Sequence, residues 1–406
     1  MDGPLRTAPC AGTGAAVQGS PRNLALATAG FLVNFWAWAL LGPLGAGYRE
    51  SLGLTALQQA VLVAVPVVVG SLGRIPVGAL TDRVGARVMF PAVSLLTVLP
   101  VLYIGLVADS FGELIVGGFF LGIGGTAFAA GVPLVSSWYP PTRRGTALGV
   151  FGVGMGGAAV AAFTTVRLAD ALGRSAPFLI VAGVLTVYAL LAAALVRDAP
   201  GRPVPTGSFL GRTWATAKLP ATAQLSVLYA VGFGGFVAFS VYLPAYLRNA
   251  FELTPGDAAL RTAGFVVLAV VMRPVGGWLS DRVGPVSVCV VCFLGAAVLA
   301  GLAALELPLA PTGTVAFLGL AALLGASSGA TFALVARLAP AEKVGAVTGL
   351  VGAAGGLGGF VPPLVMGAVY DALGDYGLGL GLLAVVCLLT AVFTHTVVRR
   401  SAARGR

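Results

Sequence analysis

The sequence predicts an all-α polytopic membrane protein, with twelve transmembrane helices arranged as two pseudo-symmetric six-helix bundles. Three observations predict it. First, the 406 residues are 58% hydrophobic and only 9% charged, against about 25% charge in an ordinary soluble domain. With a mean hydropathy of +0.98, the apolar residues cannot all fit inside a water-soluble core. Second, twelve apolar stretches are each long enough to cross ~30 Å of hydrocarbon, which takes about 20 helical residues. Third, residues of the first six stretches recur in register in the last six. This composition excludes a soluble enzyme, a disordered regulator and a nucleic-acid-binding module. The net charge of +10 is spread too thinly for a phosphate-binding surface; such an excess of Lys and Arg belongs to cytoplasmic loops.

In chain order the stretches are 24–46, 57–80, 88–108, 113–137, 145–167 and 176–196, then 222–247, 262–281, 286–306, 313–336, 345–369 and 377–396. Residues 1–22 hold Gly, Pro and Ser without an apolar run and read as a disordered cytoplasmic tail. The first apolar segment is too long for a cleavable signal and lacks a clear small-residue cleavage site. The first bundle spans 23–196. Residues 197–220, polar and rich in Pro and Gly, read as a cytoplasmic linker. The second bundle spans 221–398, and a basic cytoplasmic tail covers 399–406. The 59 Gly and 25 Pro suit membrane helices, where small residues permit close packing. Cys10, Cys289, Cys292 and Cys387 offer no metal-ligand pattern and read as small packing residues. Neither metal nor cofactor is expected.

Charge placement sets the orientation. With the N terminus inside, the inner side collects 17 basic residues: Arg6, Arg22, Arg83, Arg87, Arg143, Arg144, Arg197, Arg202, Arg212, Lys218, Arg282, Arg337, Lys343, Arg399, Arg400, Arg404 and Arg406. The outer side receives five: Arg49, Arg167, Arg174, Arg248 and Arg261. The positive-inside rule accepts this orientation, with both termini cytoplasmic.

The repeat is explicit. Arg74, Gly78, Asp82, Arg83, Val84 and Gly85 recur as Arg273, Gly277, Asp281, Arg282, Val283 and Gly284 at an offset of 199. Gly145, Gly149, Gly152 and Gly156 recur 200 residues later, and Asp170-Ala-Leu-Gly173 recurs 201 residues later as Asp371-Ala-Leu-Gly374. Duplicated six-helix units mark secondary transporters whose substrate site lies between the halves. Gly78 and Gly277 are expected to allow close helix approach, and Gly85 and Gly284 a tight turn. Asp82, Arg83, Asp281 and Arg282 are expected to latch neighbouring helix ends during gating.

Arg74 and Arg273 fall inside spans, where insertion scales charge about 2.5–3.5 kcal/mol for an Arg. All 14 acidic residues lie in loops or at span ends. Two central cations therefore face no protein anion, and the expected counter-ion is the substrate. Arginine suits that task because its planar fork holds small oxyanions in a bidentate manner. The single histidine, His395, sits at the end of the last span, so no titratable relay of the kind proton-driven carriers use is visible. Exchange of one anion for another needs none.

The loop pattern Gly-x-x-x-Asp-Arg-x-Gly, present in both halves, resembles that of the major facilitator superfamily. The resemblance covers the chain after the tail and implies two bundles rocking about a central site. Arg74-x-Pro76-x-Gly78, Arg273-Pro274 through Arg282, Phe35-Trp-Ala-Trp38, Ala127 through Gly149, Tyr229 through Ser240 and Gly355 through Phe360 resemble the nitrate/nitrite porter family within it. That resemblance implies an arginine clamp of Arg74 and Arg273 with Phe128 and Tyr229 as aromatic neighbours. Gly154, Met155, Ser328 and Gly356 are implied to stand beside the anion. Met155 and Ser328 depart from the family pattern, where an Asn is usual. The implied function is nitrate/nitrite exchange by a monomer in a bacterial inner membrane. Proton-coupled nitrate symport, or carriage of another anion or a drug, is the alternative.

Overall fold

The structure, a computed structural model, describes residues 19–200, 209–339 and 344–404. Residues 1–18, including Cys10 and most of the predicted tail, and 201–208 of the predicted linker lie outside the described residues. Twelve described helices are long and apolar enough to cross a membrane. In the first half they are α1 Pro21–Leu52, α2 Ala56–Thr81, α3 Ala86–Leu106, α4 Phe111–Trp138, α5 Ala147–Leu172 and α6 Ala176–Leu195. In the second they are α7 Pro220–Phe251, α8 Pro255–Val283, α9 Pro285–Ala303, α10 Leu309–Val335, α11 Ala346–Leu373 and α12 Gly377–Ala403.

Local chemistry sets the helix ends. Ser20 Oγ accepts from Asn23 N at 3.3 Å and Pro21 stands at the first helical position, where its missing N–H costs nothing. Thr55 opens α2 with a capping box: its hydroxyl accepts from Gln58 N and Gln58 Oε1 accepts from Thr55 N. Thr254, in the repeat-related position, caps α8 with its hydroxyl accepting from Asp257 N. Gly85 and Gly284 turn the chain at φ of 92° and 89°, a region costly for residues with a Cβ. Two segments are more helical than the sequence suggests: Phe209–Ala217 in the linker forms a helix, and α12 continues through the basic tail segment.

Helices α1–α6 pack as one bundle and α7–α12 as the other. The bundles meet where α2 touches α11, α5 touches α8 and α1 touches α7, the first two contacts being related by the repeat. Twelve crossings bring the start of α1 and the end of α12 to one face. On the opposite face, called here the far face, the bundles are bolted together. Asp371 of α11 accepts from Ala56 N and Leu57 N of α2, each at 2.8 Å, so its charge sits on the positive end of that helix. Arg248 pairs with Glu50, and the Arg49 guanidinium lies 5.6 Å from the Tyr370 ring centre. Gly367 meets α2 so closely that a side chain there would clash, and Gly42 lies close against the Val241 backbone of α7.

The repeat is broken at this bolt. The counterpart of Ala56 is Pro255, which has no N–H to donate. Asp170, the counterpart of Asp371, is exposed and makes no hydrogen bond or ion pair among the described residues.

Candidate functional site

The site lies midway between the faces, where α2, α4 and α5 meet α7, α8 and α11. Arg74 follows a break in α2 at Gly73, which is consistent with Pro76 lacking the N–H that the Leu72 carbonyl would otherwise accept. Gly70, Gly122 and Gly125 let α2 and α4 approach backbone to backbone. A short 3₁₀ segment, Gly122–Thr126, lies at that contact, and Arg74 Nε donates to the Gly125 carbonyl at 3.3 Å. Arg74 Nη1 crosses to the other bundle and donates to the Gly352 carbonyl of α11 at 2.8 Å. The Arg74 side chain is only 7% exposed.

Arg273 mirrors this reach. Its Nη2 donates to the Tyr229 hydroxyl at 2.8 Å, and its Nη1 crosses the interface to the Met155 thioether of α5. One ring serves both cations: the Phe233 centroid lies 5.7 Å from the Arg74 guanidinium and 5.4 Å from that of Arg273. Phe128 lies 5.2 Å from Arg74, backed by Phe31 and Phe151. Tyr229 stacks on Phe233 at 4.8 Å and 9°.

The two arginines are therefore not bare, as the charge inventory alone implied. Carbonyl and hydroxyl dipoles, a soft sulfur and aromatic faces solvate them, each such ring contact being worth about 0.5–2 kcal/mol. None of the partners carries a negative charge. Each guanidinium has five N–H donors and spends two on these partners, which leaves donors for a ligand. The arrangement has the groups that could hold a small, flat, singly charged anion: two planar forks from opposite bundles, with aromatic faces between and beside them.

The other expected residues divide. Gly356 lies at the α2–α11 contact against Ser71, and Met155 touches Arg273. Gly154 instead packs on Phe31 and the Thr28 carbonyl, joining α5 to α1. Ser328 donates its hydroxyl proton to the Leu324 carbonyl at 2.8 Å, so it has none to offer an anion. Gly277 has open space around it and Gly78 meets only the Ala129 methyl, at 3.8 Å. The close approach falls one residue earlier, at Gly276 on the Ala326 backbone, because that is the face α8 turns toward α10. Of the expected latch, Arg282 lies 4.1 Å from the Trp278 ring centre, and Asp281 is exposed without an ion pair among the described residues; the bolted face is the far one. Arg83 has contacts of its own, and the Asp82 side chain lies outside the described residues.

Sequence reading passed over Phe233, the Gly125 and Gly352 carbonyls and Ser71. Phe233 was reachable: it stands four residues after Tyr229 and so on the same helix face.

Comparison with known proteins gives a consistent pattern. The family model described as Major Facilitator Superfamily matches residues 27–254 and 225–405. The chain is 48% identical over 381 residues to the "Probable nitrate/nitrite transporter NarK2" of Mycobacterium tuberculosis, covering 93% of this chain and 96% of the relative. It is 37% identical to the "Nitrite extrusion protein" of Bacillus subtilis, covering 91% and 92%. It is 33% identical to the "Probable nitrate transporter NarT" of Staphylococcus epidermidis, covering 91% and 95%. Among solved structures, a bacterial homolog of the human lysosomal transporter Spinster superposes with a TM-score of 0.72 at 18% identity, covering 94% of this chain and 97% of that one. That likeness is one of fold.

Proposed function

The chain belongs to the major facilitator superfamily and, within it, to the nitrate/nitrite porters, and from that premise we propose that it exchanges nitrate and nitrite across a bacterial inner membrane. It is a multi-pass carrier and not an enzyme. The observation that carries the substrate reading is the crossed pair of arginines: Arg74 reaches α11 and Arg273 reaches α5, with Phe233 between and, among the described residues, no carboxylate on either. Phe128, Tyr229, Met155 and Gly356 complete the enclosure. The fold supports alternating access by rocking of the bundles, and the basic termini face is read as cytoplasmic.

The electrostatics support exchange. The two guanidiniums lie within about 11 Å of each other, on opposite bundles. Like charges at that separation repel by about 1–2 kcal/mol at an effective dielectric near 20. An anion held by both forks converts repulsion across the interface into a bridge. The loaded carrier can then close around its cargo and reorient, while the empty one resists closing. Return is fastest with a second anion aboard, which is antiport.

Counterflow in proteoliposomes tests the reading. Nitrite or nitrate trapped inside is expected to stimulate uptake of labelled nitrate, with no pH gradient imposed. Absence of trans-stimulated exchange overturns the antiport reading. Absence of nitrate and nitrite binding to the purified protein overturns the substrate reading as well.

A further inference from the structure

Buried and half-buried hydroxyls in the membrane helices of this chain have a habitual partner. Thr28, Thr97, Thr164, Thr186, Ser240 and Thr262 each donate to the carbonyl four residues earlier, the bond a Ser or Thr makes when nothing better is offered. Ser71 does not. It is 1% exposed, and its hydroxyl has no hydrogen-bond partner among the described residues. Thr165 also lacks a partner, but it lies ten residues beyond Met155, about 15 Å along α5.

Ser71 has a different address. It precedes Arg74 by three residues, and both side chains face α11, Arg74 at Gly352 and Ser71 at Gly356 one helical turn on. Its Oγ abuts Gly356 on α11, where a side chain would not fit. The preceding residue, Gly355, lies against Tyr229 and, less closely, Phe233, and Gly352 receives Arg74. Ser71 therefore stands at the level of the aromatic and guanidinium groups, on the same side as Arg74. Leaving a buried donor unpaired is costly, and this one lies at the α2–α11 contact one helical turn along α11 from the carbonyl that receives Arg74.

We propose that Ser71 is a substrate-binding residue whose hydroxyl donates to the anion held between Arg74 and Arg273. It adds a neutral donor on the α2 side, opposite the Met155 thioether, which can donate nothing. The proposal rests on the anion-carrier reading above and names a further contact in the same site.

Calorimetric titration of purified protein with sodium nitrate and sodium nitrite tests it, using wild type, Ser71→Ala, Ser71→Cys and, as a reference for a lost site, Arg74→Ala. Ser71→Ala is expected to raise Kd about tenfold, the worth of one hydrogen bond to a charged group. Counterflow KM should rise by a similar factor, with the maximal rate within about twofold and the ligand-free Tm unchanged. Ser71→Cys, in a background without the native cysteines, should react with a methanethiosulfonate reagent and be protected by nitrate. An unchanged Kd for Ser71→Ala, or labelling of Ser71→Cys that nitrate does not slow, overturns the role of Ser71 alone. A lower Tm with unchanged Kd assigns it to packing, which also overturns the proposal. Failure of the wild type to bind either anion removes the carrier reading and Ser71 with it.

Discussion

Asp371→Asn should loosen the far face, and its repeat mate should not. Asp371 supplies two hydrogen bonds of 2.8 Å to the first two N–H groups of α2, while Thr55 already satisfies the third through Gln58 N. A charged acceptor makes such bonds worth about 1.5–3 kcal/mol, and a helix N-terminus adds about 0.3–1 kcal/mol for negative charge. Asp371 is exposed, so water recovers part of both, and the Asn oxygen can still accept one bond. A net loss of about 1–2 kcal/mol remains, which shifts a two-state equilibrium about 5- to 30-fold. Spin labels on Ser51→Cys and Ala250→Cys, exposed ends of α1 and α7 on that face, would read the separation of the bundles by double electron–electron resonance. The long-distance population should grow by that factor in Asp371→Asn. Asp170→Asn should leave it unchanged, because Pro255 removes the donor that a matching bolt would need. An unmoved distribution in Asp371→Asn, or an equal shift in Asp170→Asn, refutes the reasoning.

Arg74→Ala and Arg273→Ala should each lower trans-stimulated nitrate uptake about a hundredfold or more, with the protein still expressed and folded, since removing one partner of a buried charge contact costs about 2–5 kcal/mol. Lys at either position should fail as well, because the bidentate fork is lost; transport near the wild-type rate in Arg273→Lys would count against the clamp. Phe233→Leu keeps the bulk and removes the ring both cations share, so KM should rise about tenfold from the lost cation–π contacts, measured by the same counterflow. Gly276→Ala and Gly277→Ala should differ sharply in thermal unfolding in detergent. The first forces a methyl onto the Ala326 backbone at a cost of about 1–3 kcal/mol, and the second enters open space and should stay within about 0.5 kcal/mol of wild type.

The twelve spans were legible in the sequence because the bilayer imposes a length and a polarity that one chain must meet segment by segment. The duplication was legible because it preserved Arg74 and Arg273, the turn glycines at 85 and 284, and the Asp-Ala-Leu-Gly segments at 170–173 and 371–374. The two arginines stood out for the same reason: a charge inside a span is rare enough to be conspicuous without any structure. Phe128, Tyr229 and Met155 came from family resemblance, and the structure places all three against a guanidinium. Ser328 and Gly154 came from the same source and pack elsewhere, because resemblance marks a position along a helix and not the face it turns.

The sequence by itself determined what the membrane and the charge inventory dictate: an all-helical chain of two repeated halves, two cations in the middle and no acid to meet them. Tertiary structure decided what those cations touch. That Arg74 lends itself to a carbonyl on α11, that Arg273 rests on a thioether and a hydroxyl, and that Phe233 is common to both depend on rotations and separations of helices far apart in sequence. So does the bolt on the far face, where a proline in one half and an alanine in the other make two like sequences behave unlike. Hydropathy acts on each segment alone and can be read along the chain, whereas a hydrogen bond needs two groups brought within about 3 Å, and only the packed bundles fix which two.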